Sequence, residues 1–112
     1  MAYNFTTRLE ECLFKEQVYL NPKLTLTDLA KMIGTNRTYL SNYINQELHR
    51  TFFDYINSLR LENATKLLLT TNLTLEVIAE KSGFNSLSTF RRYFRYVHKV
   101  SPSVYKRENL KY

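Results

Sequence analysis

Apolar residues recur every three to four positions along most of the chain, and this spacing predicts an all-α fold. The pattern predicts seven helices, at about residues 6–19, 26–33, 37–47, 52–70, 75–81, 87–97 and 102–107. The first is predicted to begin with a capping box of Thr7 and Glu10 and to end at Asn21-Pro22. Only 2 glycines and 2 prolines are present, which is few for a sheet protein of 112 residues and also favours helices.

Two segments of the chain repeat one another. Residues 24–34 align with residues 73–83 at an offset of 49, and five positions are identical: Leu, Thr, Leu, Ala and Gly. Beyond the glycine the offset becomes 50, so that residues 39–44 align with residues 89–94. Such a repeat is typical of a structural unit that is built twice in one fold.

Each repeat has the pattern of a helix-turn-helix unit: a short helix, a tight turn with glycine and a second helix. Gly34 and Gly83 permit the positive φ with which such a turn leaves its first helix. Ala30 and Ala79 lie four residues earlier and are small enough for the next helix to cross closely. The pattern therefore predicts one domain of residues 1–112, with tandem helix-turn-helix units at about 24–50 and 73–107 and a long central linker helix at 52–70.

The second helix of each unit is expected to project a polar face. Its apolar side is predicted to be Leu40, Tyr43 and Ile44 in the first unit and Phe90, Tyr93, Phe94 and Val97 in the second. On the polar side, asparagine can pair with adenine, arginine can pair with guanine, and serine or threonine can reach either base. The candidate DNA-contacting residues are Arg37, Thr38, Ser41, Asn42, Asn45, Ser86, Leu87, Ser88, Thr89, Arg91, Arg92 and Arg95. Leu87 either packs on a thymine methyl group or faces the neighbouring helix.

The net charge of +6 is placed unevenly. Residues 1–50 carry six Lys/Arg and five Asp/Glu, whereas residues 51–112 carry ten and five. Seven basic residues and no acidic one lie between Lys81 and Arg107. This distribution favours a polyanionic partner, and with the two polar helix faces it favours double-stranded DNA. The alternative is a helical module that binds an acidic protein or RNA without preference for a DNA sequence.

The sequence lacks the residue patterns typical of enzymes, metal-binding proteins and disulfide-linked proteins. One cysteine excludes an internal disulfide, the two histidines are 49 positions apart, and no metal-site spacing, phosphate loop or nucleophile motif is present. We therefore expect no enzyme activity, no cofactor and no metal. No apolar run approaches the ~20 residues of a membrane helix and no secretory signal is visible, so a cytoplasmic protein without membrane contact is expected.

From Leu24 to Arg107 the residues resemble the DNA-binding domain of AraC-type transcription regulators. The matching residues are Leu29-Ala30, Tyr39-Leu40, Phe52-x-x-Tyr55, Arg60, Ala64, Leu67-Leu68, Ile78-Ala79, Gly83-Phe84, Phe90, Phe94, Ser101-Pro102-x-x-Tyr105 and Arg107. The resemblance implies a bacterial regulator with two recognition helices in successive major grooves and an asymmetric pair of half-sites. A linker helix of about 19 residues spans about 28 Å, which suits a separation near one DNA turn.

Some residues depart from the family's pattern. The family usually has glycine after each recognition helix, whereas His49 and Lys99 stand here. A left-handed backbone at such residues costs on the order of 1 kcal/mol, so these helices are expected to end differently. The family often has arginine where Asn42 stands, so the first unit is expected to contact bases less strongly or to favour adenine.

Family members usually carry a separate sensing or dimerisation domain, for which 112 residues leave no room. The chain is therefore interpreted as a fragment of a larger protein rather than as a minimal stand-alone activator. The first helix carries Glu10, Glu11 and Glu16, and this acidic face is a poor DNA surface. It is either a solvated face, which we favour, or a docking point for another domain or for RNA polymerase.

Overall fold

The computed structural model describes residues 3–110, and every regular element among them is helical. Its α-helices are α1 (Thr6–Glu10), α2 (Leu26–Met32), α3 (Arg37–Glu47), α4 (Phe52–Thr70), α5 (Leu75–Lys81), α6 (Leu87–His98) and α7 (Pro102–Asn109). Over this range the predicted all-α class with seven helices is confirmed. The predicted domain of residues 1–112 includes two further residues at each end, which lie outside the described part.

The start of the first helix differs from its prediction. The N-cap of α1 is Phe5, which makes no side-chain cap, so the predicted capping box of Thr7 and Glu10 is wrong. Phe5 and Leu9 are buried, and the Leu9 N–H donates to the Phe5 carbonyl at 2.9 Å. Burial of these apolar side chains thus decides where the helix begins, and Thr7 is left exposed inside it.

The first helix also ends earlier than residue 19. A π-helical turn, Glu11–Lys15, follows α1, and a 3-10 turn, Val18–Leu20, follows that. Between them Gln17 has a left-handed backbone with a φ of +53°, which interrupts the helical hydrogen-bond pattern. The predicted single helix is therefore three short pieces.

Threonine side chains cap three helices. The Thr25 hydroxyl accepts from the Asp28 N–H at 3.0 Å, and the Asp28 carboxylate accepts from the Thr25 N–H at 3.2 Å. The α2 helix therefore begins with a capping box. Thr51 caps α4 by accepting from the Asp54 N–H at 3.1 Å, and Thr74 caps α5. Each cap satisfies an N–H group that the first turn leaves without a partner, typically stabilising a helix by about 1 kcal/mol.

The chain forms two compact units, an N-terminal half, Met1–Ile56, and a C-terminal half, Asn57–Tyr112. The division falls within α4. The core of the N-terminal half is formed by buried apolar residues, among them Phe5, Leu9, Cys12, Leu13, Leu29, Ala30, Leu40, Ile44 and Ile56. Tyr43 adds aromatic contacts at its edge, with its ring 5.5 Å from that of Phe5.

The core of the C-terminal half is formed by Leu61, Ala64, Leu68, Ile78, Ala79, Phe84, Phe90 and Phe94. The His98 ring packs beside it, 4.4 Å from the Phe94 ring and 4.5 Å from the Tyr105 ring. Its Nε2 lies 3.4 Å from the Thr65 hydroxyl, and burial lowers the pKa of His98 below its ordinary 6.5. Lys106 of α7 donates to the Thr71 carbonyl at 2.9 Å, which ties the last helix to the end of α4.

Candidate nucleic-acid interface

The two helix-turn-helix units leave their first helix through the same backbone motif, although the second turn is one residue longer. Gly34 has a φ of +77° and Gly83 a φ of +90°. In each unit the N–H of the residue after the glycine donates to the carbonyl of an alanine five residues earlier, at 2.9 Å to Ala30 and 3.0 Å to Ala79. This bond and the left-handed glycine form a Schellman motif, so the glycines do what the sequence predicted of them.

The second helix of each unit begins at a side-chain cap. Asn36 caps α3 by accepting from the Tyr39 N–H at 2.9 Å. Ser86 caps α6 by accepting from the Thr89 N–H at 3.1 Å, and its hydroxyl donates to the Thr89 hydroxyl at 3.0 Å. The direction of each recognition helix relative to its own first helix is therefore fixed by hydrogen bonds at both ends of the turn.

The faces of α3 lie as predicted. Leu40 and Ile44 have exposed fractions of 0%, and Tyr43 is half-buried. On the other side Arg37, Thr38 and Asn45 are exposed, while Ser41 and Asn42 are half-buried. The Asn45 amide donates to the Ser41 hydroxyl at 3.4 Å, a long hydrogen bond across one helical turn.

The faces of α6 agree with their prediction except at one residue. Phe90 and Phe94 are fully buried and Tyr93 is half-buried, but Val97 is 43% exposed, so its assignment to the core side is wrong. Val97 lies in the last turn of the helix, beyond the buried phenylalanines. The opposite side is polar and exposed: Ser88, Arg91, Arg92 and Arg95.

The polar positions of the two helices share one register. At about 100° per residue, three positions in each helix point away from the buried side. They are Thr38, Asn42 and Asn45 in α3 and Ser88, Arg92 and Arg95 in α6. Ser41 and Arg91 lie at the edge of these stripes.

The arginines of α6 carry uncompensated charge. Within residues 3–110 none of Arg91, Arg92 and Arg95 forms an ion pair; pairs such as Arg8–Glu16 and Arg50–Asp54 lie outside α6. Three cations within two turns repel one another, and an anion placed against them would relieve that repulsion. The local electrostatics of α6 therefore favour a polyanion.

Three further candidates have additional structural roles. Ser86 is the N-cap described above, and Thr89 is half-buried beside it. Leu87 is half-buried and packs against the core of the C-terminal half, which is the second of the two roles that the sequence left open for it. The exposed candidates on α6 are thus its serine and its three arginines.

Both recognition helices end in a left-handed residue, contrary to the sequence-based expectation. His49 has a φ of +55° and Lys99 a φ of +67°. The chain keeps the backbone for which glycine is the usual residue, because it must turn sharply after each helix. At Lys99 the side chain offsets part of the cost, since its amino group donates to the Tyr96 carbonyl at 2.9 Å and lies 5.4 Å from the Tyr96 ring centre.

Two exposed aromatic residues were missed among the candidates. Tyr39 in α3 is 49% exposed and Tyr96 in α6 is 67% exposed. The helical period places both on the outer flank of their helices, and this signal was available in the sequence. Their rings can pack on sugars and their hydroxyls can donate to phosphate oxygens.

Other kinds of site find no support in the described part. Residues 3–110 contain no group of three His, Cys, Asp or Glu side chains placed to hold a metal ion. Over the same residues, no helix has the length and apolar content needed to cross a bilayer.

Comparison with known proteins gives consistent matches. A family model described as a helix-turn-helix domain matches residues 29–108. The transposon Tn10 TetD protein of Escherichia coli is 33% identical over 105 residues, which cover 94% of this chain and 76% of that protein. The chain spans only 36% of another matched regulator, from Bacillus subtilis, and 12% of one from Staphylococcus aureus.

Solved structures share the fold. The C-terminal domain of AraT, a response regulator from Geobacillus stearothermophilus, superposes with a TM-score of 0.86 and 29% identity, covering 98% of this chain and 89% of that one. A regulator from Chromobacterium violaceum with an AraC-type DNA-binding domain gives a TM-score of 0.80 at 24% identity, with 95% of each chain covered.

Proposed function

The chain belongs to the AraC-type helix-turn-helix family of bacterial transcription regulators, and we propose from this premise that it binds double-stranded DNA sequence-specifically, with α3 and α6 in successive major grooves. One observation carries the proposal. Two units with the same motif after their first helix present polar side chains at the same positions of their second helices. The family is one of regulators and not an enzyme class, which agrees with the lack of a catalytic motif.

The chemistry of these side chains suits base edges. An α-helix fits the major groove, where each base pair shows a distinct pattern of donors and acceptors. The amides of Asn42 and Asn45 and the guanidinium groups of Arg92 and Arg95 can each make two hydrogen bonds to one purine. Arg92 and Arg95 are exposed and make no ion pair with the described residues, which leaves their guanidinium groups available for such bonds.

The first experiment is selection of bound duplexes from a random pool, followed by affinity measurement over a range of salt concentrations. We expect an enriched motif with two half-sites that lie about one DNA turn apart. If six phosphates are neutralised, the logarithm of the binding constant should fall with the logarithm of salt concentration with a slope of about −5. Enrichment of no motif would overturn the proposal.

A single substitution tests the role of α6. Arg92→Ala should weaken binding to the selected duplex by about 1–3 kcal/mol and relax the preference at one base pair. The matched control is Lys23→Ala, which removes the same charge from an exposed residue outside the recognition helices. An equal loss on all duplexes would instead make Arg92 a phosphate contact.

Other partners remain predictions. If the chain bound RNA or an acidic protein as tightly as the selected duplex and did not discriminate among duplexes, the alternative of a general basic module would replace the proposal. A sensing or dimerisation domain is expected from the family resemblance, and a cytoplasmic location is expected from the sequence. Contact of the acidic first helix with RNA polymerase is the alternative to the solvated face that we favour. All three are separate questions from DNA binding.

A further inference from the structure

The central positions of the two recognition helices differ in a systematic way. In both helices a hydroxyl residue begins the outward stripe, Thr38 in α3 and Ser88 in α6. The next two positions are amides in α3 and guanidinium groups in α6, in the same register: Asn42 and Asn45 against Arg92 and Arg95. Because both helices begin at a side-chain cap in the same register, this difference in side-chain chemistry distinguishes the two outward stripes.

We infer that α3 reads adenine and α6 reads guanine, so that the two half-sites of one chain differ in base type. The inference rests on the proposed function. An amide offers one donor group and one acceptor, which match N7 and the N6 amino group of adenine. A guanidinium group offers only donors, which match O6 and N7 of guanine but are opposed by the amino group of adenine.

The hydrogen bonding of Asn45 fits this assignment. Its amide nitrogen donates to Ser41 at 3.4 Å, which uses one of its two N–H groups. The other N–H and the carbonyl oxygen remain, and these are the two groups that an adenine requires. Ser41 lies one turn before Asn45 and thereby orients the amide, which makes it a positioning residue for this contact.

The two halves of the chain also differ in net charge, and the half that contains the arginines of α6 is the basic one. The N-terminal half, Met1–Ile56, has six Lys/Arg and six Asp/Glu, a net charge of zero. The C-terminal half, Asn57–Tyr112, has ten and four, and so carries the whole net charge of +6. Because release of counterions scales with the phosphates that cations neutralise, most of the salt dependence of binding should come from the C-terminal half.

The edge of each outward stripe provides a second contrast. Ser41 in α3 and Arg91 in α6 occupy the same position beside the stripe. A side chain at the edge of a helix in the groove faces the sugar-phosphate backbone rather than the base edges. Arg91 should therefore contribute affinity and salt dependence without base preference, whereas Ser41 carries no charge and acts only through Asn45.

The test exchanges residues between matched positions. Arg92→Asn should change one base pair of the selected motif from G·C to A·T, and Asn42→Arg should change one from A·T to G·C. Each variant should prefer its new duplex over the old one by roughly 5- to 150-fold, the range for one bidentate contact. Asn45→Arg is the second variant for α3, because Asn45 is exposed and the larger side chain can be accommodated there.

The control exchange uses the edge position of α6. Arg91→Ser should reduce the magnitude of the salt slope by about 0.9, with the preferred bases at the Asn42 and Arg92 positions unchanged. Circular dichroism and thermal unfolding establish that each variant is folded before its binding is measured.

The outcomes separate this inference from the proposal beneath it. If the wild-type chain enriches no motif, the proposed function fails. If it enriches a motif but the exchanges at Asn42, Asn45 and Arg92 leave the base identities unchanged, DNA binding stands and the assignment of adenine to α3 and guanine to α6 is overturned. The same holds if Arg91→Ser alters base preference as much as the exchanges at Asn42 and Arg92 do.

Discussion

His49 offers a direct measure of the strain at the end of a recognition helix. Its φ of +55° is one that an L-residue with a Cβ atom adopts at a cost of about 1–2 kcal/mol. The side chain is exposed, and no hydrogen bond or ion pair with the described residues holds it there. His49→Gly should therefore remove strain and lose little else.

The net gain is smaller than the strain, because glycine is more flexible in the unfolded chain. That flexibility costs about 0.5–1 kcal/mol on folding. We expect the free energy of unfolding to rise by about 0.5–1 kcal/mol in His49→Gly. For a domain of this size the melting temperature should rise by about 2–4 °C. Urea unfolding followed by circular dichroism measures the change as a shift in midpoint at constant slope.

Gly34→Ala is the matched control with the opposite sign. Gly34 has a φ of +77°, and a Cβ atom built there meets nothing within 4 Å, so the cost of the substitution is confined to the backbone. It should destabilise by about 0.5–1 kcal/mol, while His49→Ala should change the free energy of unfolding little. A destabilised His49→Gly beside a destabilised Gly34→Ala would refute the reasoning, since the strain at His49 would then be offset by contacts of its side chain.

Two further predictions concern stability. Thr74→Ala should destabilise by about 1 kcal/mol, because the side chain of Thr74 accepts from the Val77 N–H at 3.3 Å and caps α5; Thr74→Ser, which keeps the hydroxyl, should recover most of the loss in the same urea assay. Because burial lowers the pKa of His98, the unfolded chain binds its proton more readily, so stability should be full above pH 6.5 and fall as the pH drops below it. His98→Phe should flatten this dependence between pH 7 and 5 in thermal unfolding, and an unchanged slope would contradict it.

The sequence predicts a helix of this fold well where a capping residue and the apolar period indicate the same start. The predicted bounds of α3, α4 and α5 match the structure, since a threonine or asparagine cap precedes an apolar period in each case. The first helix fails because Thr7 and Glu10 have the right spacing for a cap while the burial of Phe5 and Leu9 sets the start elsewhere. The spacing of residues in the sequence cannot reveal whether a capping box or the burial of apolar side chains sets the start of a helix.

The candidate site was predictable to the level of helix faces. The period of 3.6 residues separates Asn42 and Arg92 from the buried Leu40 and Phe90 without any coordinates. The hydrogen bond from Asn45 to Ser41 was not foreseen, because a side-chain conformation depends on neighbours in space. The left-handed backbone of Lys99 was misjudged for a related reason: the demand for a sharp turn outweighs the local preference of the residue.

The two units show which positions the backbone constrains and which it leaves free. Ala30 and Ala79, and Gly34 and Gly83, are identical in both copies because each meets a geometric requirement of the turn. The outward positions of α3 and α6 meet no such requirement, and substitutions at exposed positions away from caps usually change stability by less than about 0.5 kcal/mol. Base preference can therefore diverge between the copies while the frame persists. By the same reasoning, exchange of the outward residues between α3 and α6 is a change of recognition and not of fold.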